Sequence, residues 1–143
     1  MRSLLDVNLL IALLDQDHAF HSRAHAWWSA ESPAWASCPL TENGLIRIMS
    51  SAAYSRVRNR TVFSVTTQFE QFSAASDHEF WDDSISVCNA SLFDHRAILS
   101  SKTLTNLYLL GLATTRGGRL VTFDQRVSRN AVHLAEEKNL LVL

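Results

Sequence analysis

Apolar positions along the chain fall into short blocks separated by polar breaks, and the spacing inside each block predicts its element. The first block, Ser3–Leu5, reads as a strand that ends on an acid, Asp6, and a second apolar run, Val7–Leu14, reads as a helix directly after it. An acid between two apolar runs is costly unless it has a partner or a task. Asp15-Gln16-Asp17 breaks that helix, and residues 18–30 form the next, with Phe20, Ala24, Trp27 and Trp28 on its apolar side. Pro33 marks a loop before a short strand at 34–37. Cys38-Pro39 opens a further helix, with Pro39 suited to its first turn and Leu40, Leu45, Ile48 and Met49 at helical spacing. A helix at 66–75 carries Phe69 and Phe72, and residues 80–83 form a turn before a buried strand at 85–87. Residues 91–101 read as loop with one helical turn near 92–96. The 103–115 block is apolar nearly all round, so it predicts a central helix, with Gly111 marking a close packing contact. Gly117-Gly118 ends that block. A strand follows at 119–123 and runs into Asp124; a last helix is expected at 128–138 and a last strand at 140–143.

Strands alternating with helices imply an α/β fold with a mainly parallel sheet covered on both faces. Sites in such sheets gather beyond the carboxyl ends of the strands. Asp6 and Asp124 each end a strand, while Glu42 and Asn106 each sit in the first turn of a helix. Four polar residues far apart in sequence, Asp6, Glu42, Asn106 and Asp124, are therefore expected to converge. A carboxylate in a first turn is also an ordinary cap favoured by the helix dipole, and that reading stands beside the functional one for Glu42.

Composition changes this picture little. The chain has 143 residues, 47% hydrophobic and 19% charged, with a net charge of −1. That suits one folded domain over residues 1–143 and excludes a global basic field. Eleven of the thirteen basic residues are arginine, the better fork for phosphate. Arg56, Arg58 and Arg60 form a basic loop, and Arg116, Arg119, Arg126 and Arg129 lie around the last two strands; each is either solvated surface or a phosphate contact. Cys38 and Cys88 have neither metal-type nor redox-type spacing and are expected to be reduced and structural. His18, His21 and His25 share one helix face, as a polar stripe or as metal ligands. Asp6 and Asn8 interrupt the amino-terminal apolar run, which argues against a secretion signal, and no stretch reaches the ~18 apolar residues of a membrane span. A soluble, cytoplasmic protein is expected.

Three carboxylates gathered with an amide in one cleft cannot all stay ionised and unpaired without cost, because like charges raise one another's pKa, and a divalent cation removes that penalty. Oxygen-only ligands select Mg²⁺ or Mn²⁺. Such a metal can activate water and stabilise charge on a phosphate, which is phosphodiester-cleaving chemistry needing no side-chain nucleophile.

Four blocks carry a resemblance that spans nearly the whole chain. LLDVNLLIALLD at 4–15, LTENGLIRI at 40–48, LTNLYLLGLA at 104–113 and GGRLVTFDQRV at 117–127 resemble the motif blocks of PIN-domain ribonucleases of the VapC toxin type. The resemblance implies a three-layer α/β/α fold and Mg²⁺- or Mn²⁺-dependent endonucleolytic cleavage of RNA, with tRNA or rRNA as candidate targets. It also implies a homodimer and a separately encoded antitoxin that covers the acidic cleft. Asp6, Glu42 and Asp124 match the family's acids, Thr122 its hydroxyl beside the last acid, and Asn8 the polar residue after the first. Asn106 departs from the pattern, standing where an Asp is expected. It keeps a ligating oxygen and loses a charge, as befits a natural variant, an inactive member or an engineered change. Arg119, Arg126 and Arg129 are the candidate RNA contacts. Two alternatives remain: a PIN domain that binds RNA or a partner without cutting, and a haloacid-dehalogenase-like phosphohydrolase with Asp6 as nucleophile. Asn8 and Leu10 depart from the pattern that the latter requires.

Overall fold

A computed structural model describes residues 1–54 and 59–143; the expected contacts of Arg56 and Arg58 lie outside the described residues. The strands are β1 (Ser3–Leu5), β2 (Trp35–Ser37), β3 (His78–Phe80), β4 (Arg119–Thr122) and β5 (Leu140–Val142). The helices are α1 (Val7–Leu14), α2 (His21–Glu31), α3 (Pro39–Met49), α4 (Val62–Ala74) and α5 (Leu104–Thr115). The strands form one parallel sheet in the order β3-β2-β1-β4-β5. Alternate residues of each strand face opposite sides, so Leu4, Ala36 and Leu120 pack toward α5. Leu5, Trp35 and Val121 pack toward α1, α3 and α4 on the other side. The result is the expected three-layer α/β/α arrangement.

The order of connection creates the position of the site. From β1 the chain moves outward through β2 to the edge strand β3. It then returns through α5 to β4, on the opposite side of β1. The connections leaving the carboxyl ends of β1 and β4 therefore part in opposite directions and leave a crevice, the usual binding position of open parallel sheets. Asp6 follows β1, and Thr122 ends β4.

Two glycines permit the close packing that shapes this region. A Cβ at Gly44 would lie 2.7 Å from Cγ2 of Val7, so α3 approaches the start of α1 only because residue 44 lacks one. Gly111, expected to mark a packing contact, does so: a Cβ there would lie 2.5 Å from Cζ of Phe93.

The structure corrects several element boundaries. The third strand is His78–Phe80, not 85–87. An edge strand of His, Glu and Phe, partly exposed, carries no apolar run to betray it. Ile85 and Val87 instead pack against the α5 side as irregular chain. Residues 128–138 form no α-helix; they contain short 3₁₀ turns at Arg129–Ala131 and Glu137–Asn139. Their apolar residues Ala131 and Val132 are buried, and the N–H of His133 donates to the carbonyl of Leu92 at 3.0 Å, tying this stretch to the chain before α5. Helix α4 begins four residues earlier than 66, where Thr61 and Ser64 cap it reciprocally. Arg60 is not a surface cation: it pairs with the buried Asp15 at 3.0 Å. Nor do the α2 histidines form a ligand set. Nδ1 of His21 lies 2.8 Å from the carbonyl of Ala12 and Nε2 of His25 lies 3.0 Å from that of Leu13, so both rings cap the open end of α1.

Candidate active site

Asp6 occupies the N-cap of α1 and is 2% exposed. Its Oδ1 accepts the N–H of Leu9 at 2.7 Å, which satisfies one of the free donors of the first turn. Its Oδ2 accepts the hydroxyl of Thr122, itself fully buried. The same hydroxyl oxygen accepts the N–H of Asp124 at 3.0 Å, so one side chain links the two acids and sets their spacing. Asp124 in turn accepts both Nε and Nη2 of Arg126, at 2.8 and 2.9 Å, and Nδ2 of Asn106 at 3.3 Å. Asn106 reaches it from the first turn of α5. Asp6, Thr122, Asn106 and Asp124 thus converge, as expected of residues at the β1/β4 crevice.

The two acids differ in charge state. Burial pushes the Asp6 carboxyl up to about 6, aided by the nearby charge of Asp124 and opposed by the bonds from Thr122 and Leu9. The Arg126 guanidinium holds Asp124 below the ordinary carboxylate range, against the opposing effect of burial. One acid is strained by its charge, and the other already has a cation. Beside them opens a cleft of about 290 Å³, lined by Asp6, Asn8, Asn43, Gly44, Arg47 and Asn106 among others. Asn43 and Arg47 are one turn apart on α3 and share a face. They were missed in the sequence; the signal was their spacing of four around Gly44.

Glu42 stands apart from this cluster. It lies on a neighbouring face of α3, where its carboxylate accepts the Ser37 hydroxyl at 2.6 Å. Ser37 Oγ also lies 2.8 Å from Nε2 of His78, so the imidazole N–H donates to the hydroxyl and the hydroxyl to the acid. The hollow beside Glu42 is a different one, of about 450 Å³, with Phe69 and His78 in its wall. The physical reason is that Ser37 is buried at the end of β2, and the Glu42 side chain is the acceptor that its hydroxyl reaches.

No protein-family model matches the chain. Curated relatives do. Ribonuclease VapC44 of Mycobacterium tuberculosis is 40% identical over 147 aligned residues, covering all of both chains. Ribonuclease VapC39 of the same organism is 35% identical, covering 92% of this chain and 94% of its own. Ribonuclease VapC29 is 32% identical, covering 87% of this chain and 86% of its own. The chain belongs to the VapC ribonuclease family. That membership removes the dehalogenase-like reading of Asp6.

The other expected residues of this VapC chain fall in three places. Asn8 lines the cleft. Arg126 is at the site, bonded to Asp124, and Arg129 is exposed in the turn that follows. Arg119 is not with them: it starts β4 at the amino edge of the sheet, where it pairs with Glu31 and its Nε donates to Ser3 at 3.0 Å. Among the described residues, no three His, Cys, Asp or Glu side chains lie together as a metal-holding group. The oxygen donors of Asp6, Asp124 and Asn106 are nevertheless of the hard type that Mg²⁺ or Mn²⁺ prefers. Asp6 is buried without a cationic partner among the described residues that bond it, and Arg126 supplies a monovalent cation to Asp124. The residues present fit a divalent ion. Among the described residues, no helix is long and apolar enough to cross a membrane.

Proposed function

We propose that this chain is a Mg²⁺- or Mn²⁺-dependent endoribonuclease, the toxin of a type II toxin–antitoxin pair, with tRNA or rRNA as the substrates to test. The observation that carries this reading is the buried Asp6 joined through Thr122 to Asp124 at the β1/β4 crevice, in a chain of the VapC ribonuclease family. Asp6, Asp124 and the Oδ1 of Asn106 would hold the metal. Glu42 joins that set only if its carboxylate leaves the Ser37 hydroxyl. A divalent ion bound there would supply a more acidic water and offset charge on the phosphate.

The chain's own groups have separate tasks. Thr122 orients Asp6 through Oδ2 while the Leu9 N–H holds Oδ1, so both carboxylate oxygens are fixed at the edge of the crevice. Asn106 donates through Nδ2 to Asp124, which leaves Oδ1 as its ligating atom. Arg126 neutralises Asp124 through its Nε and Nη2. The buried side chains of α1 pack against β1 and β4 and fix the Asp6 side of the site. A separately encoded antitoxin and a second copy of the chain are the expected partners. Val62 and Phe63, both exposed at the start of α4, offer apolar surface to one of them.

A second reading, a PIN domain that binds RNA or a partner without cutting, draws on Asn106, which brings one charge fewer than an Asp. Incubation of the purified chain with RNA in Mn²⁺ and in EDTA separates the two. Metal-dependent cleavage that disappears in Asp6→Asn supports the nuclease; a salt-sensitive complex without cleavage supports the second reading.

A further inference from the structure

We infer that Arg47, presented with Asn43 and Asn8 in the cleft beside Asp6, is the phosphate grip that seats a single-stranded RNA segment next to the acidic centre. The inference rests on the ribonuclease reading and adds to it the residue that holds the strand.

Three observations converge. Among the described residues, the cleft that opens at Asp6 and Asn106 is lined by no other carboxylate; its polar lining is the amides of Asn8, Asn43 and Asn106, the hydroxyl of Thr105 and the guanidinium of Arg47. Arg47 is exposed and has no ion-pair or hydrogen-bond partner among the described residues. Arg126, the other cation beside the two acids, is already committed to Asp124. A strand of phosphates approaching two carboxylates in a chain of net charge −1 needs local cations, and among the described residues lining this cleft Arg47 is the one cation, its fork open. Its position is built into the fold: the missing Cβ of Gly44 lets α3 close on Val7, which brings Asn43 and Arg47 to the rim of the cleft.

The division of labour follows from side-chain chemistry. The guanidinium forks onto the two non-bridging oxygens of one phosphate. The amides of Asn8 and Asn43 each donate and accept, so they suit a ribose hydroxyl or a base edge beside that phosphate. Phosphate contacts set register and base-edge contacts set preference, so Arg47 governs affinity for every sequence while Asn43 alters which sequence is preferred.

The test is fluorescence anisotropy with a short fluorescein-labelled single-stranded RNA in EDTA, repeated between about 50 and 200 mM salt. Arg47→Ala is expected to bind about tenfold more weakly and to lower the slope of log affinity against log salt by about one. Arg47→Lys keeps the slope and loses part of the affinity. Lys138→Ala, whose ammonium pairs with Glu136 before the amino end of β5, binds as the wild type does. Because Arg47 is exposed, an unchanged melting temperature accompanies the loss. Wild-type affinity and slope in Arg47→Ala overturn the grip while leaving the ribonuclease reading intact. A wild-type chain that neither binds nor cuts RNA overturns both.

Discussion

Replacing Asp6 by Asn removes a buried charge that the folded chain holds at a cost, so in metal-free buffer the variant is expected to be more stable than the wild type. Burial raises the Asp6 carboxyl to about 6 from an ordinary 3.8. Between those values the folded chain keeps a proton that the unfolded chain has released, so the Asp6 contribution to stability falls as pH rises, by about 1.4 kcal/mol per pH unit. Below pH 3.8 the contribution is fully present, and above pH 6 it is lost, a total of about 3 kcal/mol. Asn cannot ionise and escapes that loss. Its Oδ1 still accepts the Leu9 N–H. Its amide group now faces the Thr122 oxygen, and the Thr122 hydroxyl loses its acceptor, a cost of about 1 kcal/mol. Loss of the charge at the α1 amino terminus costs about 0.5 kcal/mol more. The net gain at pH 7.5 is about 1–2 kcal/mol, or roughly 3–6 °C in melting temperature for a chain of this size. Thermal unfolding in EDTA at pH 7.5 and at pH 4 measures it. The gain is expected at pH 7.5 and absent at pH 4, and added Mn²⁺ should stabilise the wild type more than the variant. A variant less stable than the wild type at pH 7.5, or a difference that does not change with pH, would show that the buried Asp6 charge is not held at a cost.

Other outcomes follow from the same geometry. Asn106→Asp replaces the donor to Asp124 with a third acid, so the chain loses about 1–2 kcal/mol in EDTA by like-charge repulsion. It gains at least ~10-fold in Mn²⁺ affinity, since ligand charge sets affinity for hard cations, and cleaves RNA faster; calorimetric titration and a gel assay read both, and equal or lower activity would sink the idea. Gly44→Ala drives a Cβ into Val7 and should cost about 1–3 kcal/mol in denaturant unfolding, with Val7→Ala restoring part of the loss; an unchanged midpoint would mean that α3 shifts freely. Glu42→Gln is expected to lower Mn²⁺ affinity less than Asp124→Asn does, because the Glu42 carboxylate is held by Ser37; an equal loss would show that Glu42 swings into the metal set.

The site was legible where a charge stood at the end of an apolar run. Asp6 after Ser3–Leu5 and Asp124 after the 119–122 run advertise themselves, because a carboxylate there needs a reason, and parallel topology then brings both to one edge. Asn106 was legible as the first turn of a helix whose apolar spacing is unmistakable. Glu42 shows where periodicity runs out: residues 42 and 43 differ by about 100° around α3, and the hydroxyl of Ser37 decides which wall of the helix the acid serves. Arg47 was hidden because an arginine one turn after an asparagine looks like any exposed helix face until Gly44 closes α3 onto α1. Strand β3 escaped because its partner strand, not its own hydrophobicity, defines it. The 128–138 stretch misled because Ala131 and Val132 bury themselves from 3₁₀ turns as well as a helix would.

The Asp6–Thr122–Asp124 centre is expected to cut RNA when a divalent cation is supplied. RNA-end mapping after incubation with the purified chain, in Mn²⁺ against EDTA and beside Asp6→Asn, measures it directly. Discrete ends that form in Mn²⁺, vanish in EDTA and are missing with Asp6→Asn are the predicted result. Cleavage that persists in EDTA or in Asp6→Asn would contradict it, as would intact RNA with both the wild type and Asn106→Asp.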